Sequence, residues 1–214
     1  MSAVPRLRIG IDFDNTLAGY DHLFRRVACE WRLLPGPVPD GKREIRDAVR
    51  TLPEGEAAWM RLQAEVYGRR MGEAELIDGA DRFLKRCRAR KIDTVVVSHK
   101  TRHAAADPDG VDLHETSLAW MTAKGFFTVD GFGMTPAQVF FEPTREAKCG
   151  RIAALGCTHF IDDLEEVFRE PGFPKAVVAL LLARGDRPTA GPFITCPDWL
   201  AVDTAVFADD DHVA

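Results

Sequence analysis

Asp12 and Asp14, in "GIDFDNTLAG" (10–19), stand at the end of an apolar run, "LRIGIDF". Alternation along a strand turns both side chains to the same side. Two like charges held that close raise one another's pKa unless a cation or a task keeps them there. Such a pair suits a hard divalent cation, or a division of nucleophilic and acid–base work. The plain alternative is an amino-terminal strand followed by a turn capped by Asn15 and Thr16.

Other polar residues also follow apolar runs. "DTVVVS" (93–98) ends in Ser98, with His99 and Lys100 next; "THFID" (158–162) ends in Asp162, with Asp163 next. Lys148 stands in the helical stretch leading to that second run. In an open parallel sheet, ligands bind outside the carboxyl ends of the strands. Four acids, a hydroxyl and a lysine from distant parts of the chain are therefore expected to converge. Mg²⁺ takes carboxylate and carbonyl oxygens and keeps several waters. Asp12, Asp162 and the backbone or side chain of Asp14 form such a set. One Asp carboxylate can attack phosphorus to give an aspartyl-phosphate, while a second serves as general acid and then base. A lysine and a strand-end hydroxyl would neutralise the phosphoryl oxygens. Asp163 has two uses, contact with the metal or a cap for the "LEEVF" helix. His99 and Lys100 either bind phosphate or line the entrance.

The elements that must carry these residues are legible as strands and helices in alternation. Short apolar runs at 7–13, 93–98, 138–142, 158–162 and 176–183 have the length and branched or aromatic content of buried strands. Amphipathic stretches such as "ADRFLKRCRARK", "LHETSLAWMTAKG" and "TREAKCGRIAALG" lie between them. This pattern predicts an α/β domain around a parallel sheet. Residues 19–80 break the rhythm: three helical stretches separated by Pro and Gly, with no convincing strand. The expected organisation is a core of 1–18 and 81–207, a helical insert at 19–80 and an acidic tail at 208–214. "HKTRHAAADPDGVDLHE" reads as a polar loop leading to a helix near Asp112. Within the insert, Arg43, Arg46 and Arg50 either meet an anionic substrate or face solvent. Trp59, Gln63 and Tyr67 share one helix face, lining a pocket or packing the insert.

Bulk properties narrow the field. The chain of 214 residues is 46% hydrophobic and 29% charged, as in a soluble globular protein. A net charge of −5 argues against a nucleic-acid polymer as partner, though a local basic pocket for a small anion is compatible with it. The five cysteines are scattered, odd in number and form no CxxC pair, which suits a reducing cytoplasm and gives no zinc signature. The start, "MSAVPRLRIGIDF", enters a strand at once, so no signal peptide is expected. The strongest apolar run is too short to span a bilayer. A cytoplasmic location follows as the expectation, with no membrane partner and the oligomeric state open.

These residues resemble the four motifs of the haloacid dehalogenase (HAD) superfamily, in order. "DFDNT" is similar to its DxDxT motif, "VVVS" to the second, Lys148 in "REAKCGRIAALG" to the third and "FIDD" to the acidic fourth. The resemblance covers roughly residues 5–18 and 78–207. It implies a doubly wound parallel-sheet core of Rossmann-like type, with a small helical C1 cap inserted after the first strand. It assigns Asp12 as nucleophile and Asp14 as acid and base. Ser98, with His99 and Lys148, falls to the phosphate, and Mg²⁺ to Asp12, Asp14, Asp162 and Asp163. Phosphatases of the superfamily keep the second Asp of DxDxT where dehalogenases do not, so the implied reaction is hydrolysis of a small phosphorylated metabolite. A sugar-phosphate phosphomutase, or a non-catalytic module that binds a phosphorylated metabolite, are the alternatives. Lys148 precedes Asp162 by only 14 residues, shorter than in many members though similar to nucleotidase-like ones. Arg145 and Lys100 are therefore alternative phosphate cations.

Overall fold

The computed structural model describes residues 6–107, 109–184 and 190–208. In chain order the elements begin with β1 (Arg8–Ile11), β2 (Ala18–Gly19), α1 (Asp21–Glu30), α2 (Lys42–Arg50) and α3 (Gly55–Ala64). Then come β3 (Glu75–Leu76), α4 (Ala80–Ala89), β4 (Asp93–His99), α5 (Leu113–Ala123), β5 (Val139–Glu142) and α6 (Arg145–Ala154). The last are β6 (His159–Asp162), α7 (Glu165–Phe168), β7 (Val178–Leu182), β8 (Ile194–Cys196) and α8 (Trp199–Phe207). Contacts divide the chain into two units, one of residues 1–17, 76–100 and 125–214, the other of 18–75 and 101–124. The acidic tail expected at 208–214 lies, apart from Ala208, outside the described residues.

The first unit is α/β. Its sheet has six strands, all parallel, in the order β5-β4-β1-β6-β7-β8. The chain starts in the middle at β1, builds outward through β4 and β5, then reverses through β6, β7 and β8. That reversal puts a topological switch point at β1, where parallel sheets hold their ligands. The five apolar runs in the sequence correspond to β1, β4, β5, β6 and β7. The sixth strand, β8, is three residues long and follows no apolar run. Its pairing with β7 defines it.

Helices α6, α4 and α8 pack on this sheet. Alternation carries Val95 and Val97 of β4 to the same face as Phe160 of β6 and Leu181 of β7, where Cys149 and Ile152 of α6 meet them. Each such aliphatic or aromatic side chain contributes about 1.5–3 kcal/mol on full burial. Gly10 is required at the centre of β1, because a Cβ there would come within 2.5 Å of the Phe160 ring. α6 starts at Thr144, whose hydroxyl accepts the Ala147 N–H at 3.1 Å.

The second unit is mainly helical. Phe24 of α1 stacks on Trp59 of α3 at 5.1 Å and meets the edge of Tyr67 at 5.5 Å. Trp59 and Tyr67 thus pack the unit's own interior. α3 continues into a π-helical stretch, Glu65–Arg69. Arg69 in that stretch donates to Asp107 and Asp109, both at 2.6 Å. Trp120 of α5 donates its indole N–H to Ala74 O at 2.8 Å. These bonds tie 101–124 to 18–75, so the stretch expected as a polar loop and helix is part of this unit. On α2, Arg43 is exposed, Arg46 pairs with Asp47 and Arg50 with Glu56. No helix among the described residues is long and apolar enough to cross a membrane.

Candidate active site

The polar groups at issue all belong to the first unit. β1 closes at Ile11, and the Asp12 N–H donates to Ile161 O at 2.9 Å, continuing the pairing with β6. Asn15 then takes a left-handed backbone, φ 58°, which Asn tolerates better than other non-glycine residues. The Leu17 N–H closes the turn on Phe13 O at 3.0 Å, and the Trp199 indole N–H donates to Thr16 O at 3.2 Å. Thr16 is fully buried, with its hydroxyl 3.4 Å from an Asp12 oxygen. The capped turn and the acidic pair coexist in one loop.

Lys148 is the hub. Its ammonium lies 2.5 Å from Asp12 Oδ1 and 2.6 Å from Asp162 Oδ2, and all three residues are buried. Burial works against the Lys148 ammonium, but the two carboxylates more than offset it and hold its pKa above the ordinary lysine value. Burial pushes the Asp12 carboxyl up to about 7; Lys148 pulls it down, while Asp162 and Asp14 add to the rise. The Lys148 ammonium also sits 5.3 Å from the centre of the Phe160 ring, the ring that Gly10 admits.

A second ammonium stands beside Asp14. Lys100 Nζ is 2.9 and 2.8 Å from the two Asp14 oxygens, and the Lys100 side chain is only 4% exposed. Sequence reasoning gave Lys100 a secondary place behind His99. The usable signal was strand alternation: Lys100 is two residues after Ser98 and shares its side, whereas His99 points the other way. His99 is exposed, with its ring 3.1 Å from Pro143 O, and stands outside this hydrogen-bonded set. Arg145 is engaged elsewhere, with Glu170 at 3.0 Å.

Ser98 is 1% exposed, and its hydroxyl has no hydrogen-bond partner among the described residues. A buried unsatisfied hydroxyl costs about 1–3 kcal/mol, so the position asks for an acceptor or donor from a ligand. Asp162 accepts the Leu164 N–H at 3.0 Å, and Leu164 stands at the N-cap of α7, one residue after Asp163.

The donor set fits a hard divalent cation. Asp12, Asp162 and Asp163 each offer one oxygen, all within 4.8 Å of one another. The set contains only oxygen donors, the preference of Mg²⁺ over softer metals. When ionised, the four carboxylates outnumber the ammoniums of Lys148 and Lys100 by two charges, the charge that one Mg²⁺ carries.

No family model matches the sequence, and no curated protein does. Solved structures share the fold. A HAD hydrolase from Bacillus subtilis, solved with magnesium bound, is 11% identical over 94% of this chain and 98% of its own, with a TM-score of 0.58. A predicted phosphoglycolate phosphatase from Haemophilus somnus is 15% identical, over 94% of this chain and 98% of its own, at 0.53. An L-2-haloacid dehalogenase is 14% identical, over 95% and 99%, at 0.51. The sheet order and these likenesses agree: the chain has the fold of the haloacid dehalogenase superfamily hydrolases.

Proposed function

We propose that the chain is a Mg²⁺-dependent phosphatase acting on a small phosphorylated metabolite through an aspartyl-phosphate. The observation that carries this reading is the pair of lysine-held carboxylates, Asp12 on Lys148 and Asp14 on Lys100. Displacement at carbon by a single carboxylate leaves a neighbouring acid without a task. Phosphoester cleavage employs both, one as nucleophile and one as proton donor.

An oxygen of Asp12 attacks phosphorus, and the bond from phosphorus to the ester oxygen breaks. Asp14, protonated for this step, gives its proton to the leaving oxygen, so an alcohol departs. Asp14, now ionised, takes a proton from water as that water attacks the aspartyl-phosphate. The bond from phosphorus to Asp12 then breaks, releasing inorganic phosphate and restoring both acids. Lys148 orients Asp12 and neutralises phosphoryl oxygens, and the Ser98 hydroxyl donates to one of them. Mg²⁺, held by Asp12, Asp162, Asp163 and a group of Asp14, would supply charge neutralisation of the phosphoryl group.

The test is phosphate release from a panel of phosphorylated metabolites by purified protein with Mg²⁺, compared with Asp12→Asn. Release that Asp12→Asn abolishes supports the reading. A phosphomutase would return the group to a second hydroxyl with little free phosphate, and a binding module would turn over none of the panel.

A further inference from the structure

A second cationic site lies at the opposite end of strand β4. A cleft of about 230 Å³ is lined by Arg6, Arg88, Lys91, Thr94, Phe132 and Met134, among others. Thr94 and Ser98 are four positions apart on β4, which is roughly 13 Å along a strand. The cleft therefore belongs to the amino edge of the sheet, and the candidate active site to the carboxyl edge.

The lining gathers three basic side chains and one acidic one. The protein carries a net −5, yet Arg6, Arg88 and Lys91 make no ion pair among the described residues. The one carboxylate in the lining, Asp93, is already matched by Arg8 at 2.6 Å. Basic residues in the last turn of a helix complement its dipole, which accounts for Arg88 at the end of α4. The same reason covers Lys91 at the C-terminus of α4, but not Arg6, which precedes β1.

Lys91 has φ 55° and closes α4 by donating to Arg88 O at 2.9 Å, with Ile92 donating to Cys87 O. This is the left-handed helix terminus that glycine normally fills. Arg32, after α1, and Glu54, before α3, take the same backbone at helix ends, so the conformation marks a helix terminus that a glycine would fit with less strain. The loop opposite is shaped around Arg88. Gly133 has φ 70°, and a Cβ there would come within 3.2 Å of Arg88 Nε, while the Arg88 guanidinium donates to Gly131 O at 2.6 Å. The apolar wall of Phe132 and Met134 and the buried Thr94 complete the lining.

We infer that this cleft, built by Arg6, Arg88 and Lys91, is a binding site for a small polyanion bearing phosphate or carboxylate groups, separate from the candidate active site. Three cations with an apolar wall suit a compact anion, and the volume is below that of most drug-sized pockets.

Isothermal titration of the full chain with pyrophosphate, and separately with citrate, in chelator and without divalent cations, tests it. Lys91→Gly removes the ammonium and suits the left-handed backbone, so the variant should melt no lower than the parent while binding roughly tenfold more weakly. Arg6→Ser, outside any helix, should weaken binding similarly. Ser98→Ala, which removes a phosphoryl-oxygen donor from the candidate active site, should leave binding at this site unchanged. Pyrophosphate bound and citrate rejected would assign phosphate chemistry; both bound would assign general polyanion binding. No binding of either anion at 10 mM (about ten times a weak metabolite Kd) would overturn the inference. Binding equally strong in Lys91→Gly and Arg6→Ser, or lost in Ser98→Ala instead, would overturn it as well.

Discussion

Lys100 holds both oxygens of Asp14 at 2.8 and 2.9 Å, from a position two residues beyond Ser98 on β4. A carboxylate clasped at both oxygens has one orientation, and in the proposed reaction that orientation aims it at the leaving oxygen. Lys100 is then a positioning residue. Lys100→Met should lower kcat by roughly 10²-fold on an alkyl phosphate and far less on p-nitrophenyl phosphate, which needs little proton donation. Lys100→Arg should recover part of the loss. An equal loss on both esters would show that Lys100 acts on the phosphate and not through Asp14.

Ser98 gives a prediction of unusual sign. Its hydroxyl is buried and unpartnered, so Ser98→Ala removes a cost and should raise stability by up to about 1 kcal/mol. The same change should weaken inhibition by inorganic phosphate by roughly tenfold. Urea unfolding and the phosphate inhibition constant, measured on the same preparation, check both halves.

Lys148 stands between two buried carboxylates, and Lys148→Met would leave them facing one another. Breaking such a buried set costs about 3–5 kcal/mol. The variant should melt well below the parent, regain part of the loss with excess Mg²⁺, and show at least a 10²-fold lower rate. Differential scanning calorimetry with and without Mg²⁺ reads the stability terms directly.

Mg²⁺ binding should itself be visible as stability. At a hundred times its Kd a ligand adds about 2.7 kcal/mol, or roughly 5–10 °C in Tm for a chain of this size. Chelation should abolish phosphate release. Calcium should bind yet inhibit, because its looser coordination misplaces the nucleophile. Asp162→Asn should lose the shift in Tm. Full turnover after exhaustive chelation would remove Mg²⁺ from the mechanism.

Trp59 is 2% exposed and stacked on Phe24, so its truncation is a packing change. Trp59→Ala should destabilise the protein by about 3–5 kcal/mol, and Trp59→Phe by much less. Arg43→Ala, on the exposed face of α2, should change stability by no more than about 0.5 kcal/mol. Urea denaturation of the three variants separates these outcomes.

Strands β1, β4, β6 and β7 were legible because an inner parallel strand is buried on both faces and reads as a continuous apolar run, and the half-buried edge strand β5 by its branched and aromatic residues. Strand β8 was not, since three residues beside β7 carry no periodic signal of their own. The acids at the strand ends were equally visible, because a carboxylate after an apolar run breaks the pattern that burial imposes. Only the folded chain decided which cation meets which acid: Lys148 reaches Asp12 across 136 positions, and Lys100 reaches Asp14 across 86. The grouping of 101–124 with 18–75 is of the same kind, resting on Arg69 with Asp107 and on Trp120 with Ala74. A strand's burial is written in its own side chains, whereas an ion pair between distant segments depends on where the whole backbone brings them.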